Sequence, residues 1–247
     1  MRFISLPGPR PRVTLYEIIA LVHLLLALPL LTGALARAGA LDAHAPAVPV
    51  DSLAGHPERD PDSGVEMLGR PAPGFRFARW LDGPPLELDA LRGRVVLVRF
   101  WTDDCSYCRN TLPAIDLLRR EYGAQGLVVI GAYHPHEPHP VRDAFVRRWA
   151  KRLGFGGPVA VDEDWRTLSH WWLDGHPERN WVSVSFLVDR AGNVRWVQGG
   201  GEYHPSAEAS HHACEVRYDA LEATVRTLLA EPATRGGAIR ERSSAGS

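Results

Sequence analysis

The stretch Phe100-Trp101-Thr102-Asp103-Asp104-Cys105-Ser106-Tyr107-Cys108-Arg109 stands between two patterned segments. Before it, Val95-Val96-Leu97-Val98 is an apolar, β-branched run that predicts a buried strand. After it, an amphipathic run to Tyr122 predicts a helix, with Leu112, Ile115, Leu118 and Tyr122 on one stripe. Pro113 lies inside that helix and should kink it. Cys105 and Cys108 therefore fall where a strand hands over to a helix. Unpaired N–H groups and the dipole at a helix N-terminus favour thiolate over thiol. The i, i+3 spacing brings both sulfurs near one face of the first turn, the geometry of a reversible dithiol. Half of a zinc site is the alternative, but a structural zinc takes four ligands and the chain has no second Cys-x-x-Cys.

The chain has 247 residues, which allows one or two domains. Apolar residues make up 45%, enough for a core in part of it. A net charge of −1 gives no basic field, so no nucleic-acid partner is expected. Three cysteines are too few for a disulfide scaffold.

Residues 1–12 carry Arg2, Arg10 and Arg12 and no acid. Residues 13–36 are mostly apolar, and no formal charge interrupts Ile18 to Ala36. That span is long enough to cross a bilayer as a helix. The basic flank keeps its end cytoplasmic. A signal anchor is the preferred reading, and a signal peptide cleaved after the small residues near Ala34–Ala40 is the other. Either one exports the remainder of the chain. The expected location is the cell envelope, facing the periplasm or the outside, or the periplasm itself after cleavage. Residues 37–70, rich in Pro, Asp, Ala, His and Gly, predict a linker, with the folded domain at 71–230 and a disordered tail at 231–247.

Within the domain, Gly74–Trp80 alternates and predicts an edge strand. Gly126–Gly131 predicts a second buried strand, joined to the first by a parallel crossover. A Pro/His loop comes next, then a basic amphipathic helix over Val141–Leu153, a short strand at Pro158–Asp162 and a short helix at Trp165–Trp172. Trp181–Asp189 and Val194–Val197 predict a hairpin, and the last helix runs near Cys214–Leu229.

Val96 through Arg109 resembles the active-site segment of thioredoxin-fold proteins. It looks most like the exported, often membrane-anchored thioredoxin-like reductases of bacteria, the TlpA/ResA-like group within the redoxin/AhpC-TSA-like proteins. Pro113 stands where the thioredoxin helix carries a proline, and Phe186–Val194 resembles the hairpin after the cis-proline loop. The resemblance implies an α/β thioredoxin fold, a mixed central sheet flanked by helices. It also implies a thiol-disulfide oxidoreductase acting on disulfide-bearing exported proteins. Cys105 would attack, Cys108 would resolve, and Trp101 would pack beneath them. A membrane electron donor would recharge the dithiol if it reduces its partners. Cytochrome c maturation and general disulfide reduction are the contexts the resemblance suggests. No cofactor and no resident metal are implied.

Three positions depart from the thioredoxin pattern. Ser183 replaces the loop proline; no cis bond is expected there, because non-proline cis bonds cost about 3 kcal/mol. Arg99 replaces a buried acid and would favour thiolate. Asp104 replaces a tryptophan, and with Asp103 it opposes thiolate by like charge or caps the helix.

Other features carry weaker signals. Thr102, three residues before Cys105, is the cue for a peroxiredoxin-like thiol peroxidase using Cys105, although Val98 stands where such enzymes usually have proline. A non-enzymatic anchored binding module is the third reading. Tyr107 either shapes partner recognition or fills an exposed position. His134, His136 and His139 could ligate a metal or relay protons, with a solvated Pro/His loop preferred. His211, His212 and Cys214 could bind a metal, with a helix start and a core-facing cysteine preferred.

Overall fold

The computed structural model describes residues 64–232. The segments 1–12 and 13–36 and almost all of the 231–247 tail lie outside them, as does the linker up to residue 63. Among the described residues no helix is long and apolar enough to cross a membrane.

The centre is β2, Val95–Trp101, buried at all seven positions. It pairs in parallel with β3, Leu127–Tyr133, and antiparallel with β5, Ser185–Val188, so Val98 faces Ile130 on one side and Phe186 on the other. With β1 (Arg79–Leu81), β4 (Val159–Val161) and β6 (Val194–Gln198), the sheet has the order β1-β4-β3-β2-β5-β6. A strand covered on both faces favours apolar residues on both, and Val95–Val98 supplies them, with Arg99 the one charged residue of β2.

Alternation along β2 divides the core in two. Val95, Leu97 and Trp101 pack with α1 (Cys108–Tyr122) and α4 (His212–Ala230). Val96, Val98 and Phe100 pack with Trp171, Trp172 and Phe186 on the other face. Helix α1 runs without interruption through Pro113. It buries Leu112, Ile115 and Leu118, each worth roughly 1.5–3 kcal/mol. Helix α2, Asp143–Arg152, connects β3 to β4.

Three expectations are corrected, and the helix expected at Trp165–Trp172 is present with a change of type along it. The alternating Gly74–Trp80 pairs as a strand only from Arg79. Its Phe75 packs face to face on Trp171 at 5.6 Å, and the Arg76 amide donates to Thr167 Oγ1 at 2.9 Å, so this backbone is bonded away from the sheet. The helix at Trp165–Trp172 is one turn, α3 (Arg166–Leu168), continuing as a π-turn over Ser169–Leu173. The Asp162 carboxylate starts it, accepting from the amides of Thr167 and Leu168. The hairpin strand begins at Ser185, four residues later than expected; ahead of it the Val184 carbonyl still accepts from the Phe100 amide, while the Trp181 carbonyl accepts from Trp172 Nε1. The linker is packed by residue 64: the Gly69 amide donates to the Val194 carbonyl and the Val194 amide to that of Arg70.

Candidate functional site

Strand β2 ends at Trp101, and a short turn separates it from Cys105. Cys108 is the first residue of α1, and its amide donates to the Cys105 carbonyl, so the motif closes as one turn against the helix start. Cys105 is half-buried and Cys108 fully buried. The solvent-side thiol is therefore the first, as expected.

Cys105 Sγ is surrounded by donors. The Cys108 amide lies at 3.2 Å and the Ser183 hydroxyl at 3.3 Å. The Cys108 thiol in turn donates to Ser183 Oγ at 3.7 Å. One hydroxyl thus bridges both sulfurs, accepting from one and donating to the other. Hydrogen bonding with Cys108, the charge of Arg99 and the Ser183 hydroxyl outweigh burial and hold the Cys105 thiol down to about 5. Burial and the neighbouring Cys105 push Cys108 well above its ordinary value. Two thiols three residues apart are driven in opposite directions by depth and by which of them donates.

Arg99 reaches this pair from within the sheet. It is fully buried, with Nη2 3.8 Å from Cys108 Sγ and 3.4 Å from the Gly201 carbonyl, and Nη1 3.3 Å from Ser185 Oγ. Its guanidinium lies 5.7 Å from the Tyr203 ring centroid. Among the described residues no carboxylate pairs with it. Burial opposes its charge, yet the nearby cysteines and Tyr203 raise its pKa.

The loop carrying Ser183 abuts the sulfurs without a proline, and no cis peptide occurs among the described residues. Trp101 is fully buried at the end of β2, its ring 5.0 Å from that of Tyr133. Gly131, on the neighbouring strand, makes room for it: a Cβ there would stand 3.1 Å from Trp101 Nε1 and 2.8 Å from Phe155.

Neither aspartate caps the helix. The N-cap residue of α1 is Tyr107, whose side chain makes no capping bond. Asp103 instead accepts from the Tyr133 hydroxyl at 2.9 Å and from Thr102 Oγ1 at 3.3 Å, and Asp104 pairs with His136. Tyr107 packs at 6.3 Å against Trp181.

The three loop histidines do not converge. His134 is fully buried against Trp165, and burial holds it down to about 4. His136 and His139 are exposed, and His139 turns to the Glu137 carbonyl. At the start of α4, His212 faces Glu215. His211 and Cys214 instead meet Glu202 and His204, two residues not connected to them by sequence reasoning.

Comparison with known proteins agrees with this arrangement. DipZ of Mycobacterium bovis is 32% identical over 129 residues, which are 51% of this chain and 18% of that one. The thiol-disulfide oxidoreductase ResA of Halalkalibacterium halodurans is 27% identical over 49% of this chain and 62% of its own length. This chain thus spans less than two thirds of either relative. A crystal structure from Chlorobium tepidum, described as a thiol:disulfide interchange protein DsbE, superposes with a TM-score of 0.51 at 22% identity, over 66% of this chain and 97% of that one. That likeness shows the fold, a thioredoxin-like mixed sheet with flanking helices. Residues 67–211 match the Redoxin family, and the chain belongs to it.

Proposed function

We propose that this chain is a thiol-disulfide oxidoreductase in which Cys105 attacks and Cys108 resolves. The observation that carries the reading is the division of labour between the sulfurs. A half-exposed Cys105 is held down to about 5, directly in front of a buried, protonated Cys108.

The steps derive from that geometry. Cys105 thiolate attacks one sulfur of a partner disulfide, forming a mixed disulfide and releasing the first partner thiolate. Cys108 then loses its proton and attacks Cys105 Sγ. The Cys105–Cys108 disulfide forms and the second partner thiolate leaves. Two electrons and the Cys108 proton pass to the partner, whose other released thiolate takes its proton from solvent. Ser183 Oγ, bonded to both sulfurs, is positioned to carry the Cys108 proton outward. Arg99 stabilises negative charge on whichever sulfur bears it.

The proposed setting is outside the cytoplasm, tethered by residues 13–36, with exported disulfide proteins as partners and a membrane electron donor restoring the dithiol. The arginine-flanked apolar segment supports it. Thr102, the cue for peroxide chemistry, donates its hydroxyl to Asp103, which favours exchange over peroxidase activity.

The test is trapping. Cys108→Ser, incubated with an oxidised protein substrate, should accumulate a mixed disulfide through Cys105, and Cys105→Ser should not. Absence of any adduct with Cys108→Ser sinks the mechanism. The potential of the couple in a Cys214→Ala background then gives the direction: near about −270 mV it reduces, near about −120 mV it oxidises.

A further inference from the structure

The loop after β6 and the start of α4 bring together four side chains that the exchange mechanism does not use. Glu202, His204, His211 and Cys214 each offer one donor atom, and these atoms lie within 4.8 Å of one another. Glu202 Oε1 is 3.6 Å from Cys214 Sγ, 3.7 Å from His211 Nδ1 and 4.0 Å from His204 Nε2. The two imidazole centroids are 4.9 Å apart. Four donors with one sulfur among them, bonded to one zinc ion at ordinary lengths, stand about 3.3–3.6 Å apart, so a contraction of about 1.5 Å or less closes the set. We propose that these four residues form a zinc site, separate from the dithiol.

The surroundings orient the donors as metal ligands require. The His204 ring presents Nδ1 to the Pro205 carbonyl at 3.1 Å, which fixes the proton there. Its Nε2 is buried, makes no hydrogen bond, and is the nitrogen that faces Glu202. Asn110 Nδ2 donates to Glu202 Oε2 at 3.1 Å, leaving Oε1 toward the cluster. Ligating imidazoles and carboxylates are held by such outer contacts.

Local structure explains why the four meet. Glu202 and His204 flank Tyr203, which is fully buried and hydrogen-bonded to Ser185. In an extended segment alternate side chains share a face, so anchoring Tyr203 in the core turns Glu202 and His204 to the opposite side. His211 and Cys214 are three apart where the helix begins, so they too share a face.

The donor set selects the ion. One thiolate, two imidazoles and one carboxylate suit a borderline, tetrahedral divalent ion. Binding releases the Cys214 thiol proton to solvent. The Glu202 and Cys214 charges then cancel those of the metal. Among the described residues Arg217 is a positive charge acting on Cys214, and its Nη1 is turned to the Glu202 carbonyl at 3.3 Å.

The experiment uses the full chain with Cys105→Ala and Cys108→Ala, so that the dithiol cannot bind metal. Zinc is titrated against a chromophoric chelator, and cobalt(II) serves as the spectroscopic probe. The expected result is one equivalent bound, a tetrahedral cobalt spectrum with a thiolate charge-transfer band, and protection of Cys214 from alkylation. Cys214→Ser should abolish the band. His211→Ala, at a partly exposed position that leaves the core untouched, should weaken zinc at least tenfold. His212→Ala, one residue away, should bind like the parent. The proposal is overturned if no thiolate band appears in the parent, or if His211→Ala and His212→Ala bind equally.

Discussion

The guanidinium of Arg99 stands 3.8 Å from Cys108 Sγ, beneath the dithiol and inside the sheet. The strand thereby supplies a permanent charge at the back of the site, where a titratable acid would relay protons. The charge acts on both sulfurs and on neither exclusively: it lowers Cys105 and partly offsets the burial of Cys108.

Arg99→Leu should therefore raise the Cys105 pKa. Arg99 bonds Cys108 and acts on Cys105 through its charge alone, and a nearby opposite charge is worth about 1–2 pKa units. The reduced form loses the same stabilisation, so the couple should become about 30–60 mV more reducing. Thiolate absorbance against pH and equilibration with glutathione measure the two. An unchanged pKa would remove Arg99 from the site.

Alkylation of Cys105 should rise with pH and be half-maximal near 5. Its folded pKa lies below the unfolded one. This thiolate thus stabilises the reduced protein fully above about pH 9, and the contribution is lost as pH falls through about 5. Ser183→Ala removes one donor worth about 1 kcal/mol, so the midpoint should move up by less than about one unit. A midpoint near that of free cysteine in the wild type would contradict a donor set centred on Cys105.

His134 is buried neutral, at about 4. The unfolded chain binds its proton below about 6.5 while the folded chain does not. Stability should fall as pH drops from about 6.5 to 4, by up to about 1.4 kcal/mol per pH unit from this residue. Subtracting the profile of His134→Gln should isolate that slope. Parallel profiles in thermal melts would show that the ring is solvated.

Gly131→Ala should destabilise by about 1–3 kcal/mol, because the new Cβ meets Phe155 at 2.8 Å and Trp101 at 3.1 Å. Denaturant melts check this. A loss in stability accompanied by a shift in the Cys105 midpoint would show that Trp101 sets the position of the dithiol turn.

Much of the molecule was legible in the chain itself. The apolar run before the cysteines is the central strand, because a strand buried on both faces has no use for alternation. The strand–Cys-x-x-Cys–helix order carried the resemblance that implied the fold and an outward Cys105, and the structure has Cys105 half-buried and Cys108 fully buried. Local signals failed where a distant contact takes the backbone or the side chain. Phe75 alternates like a strand residue but stacks on Trp171. Asp103 has capping chemistry but bonds Tyr133 across the sheet. His134 reads as a solvated loop residue but is buried against Trp165. The meeting of Glu202 and His204 with His211 and Cys214 also required the tertiary structure. Tyr203 must enter the core before its two neighbours turn toward α4, and burial of that kind is decided by the whole fold.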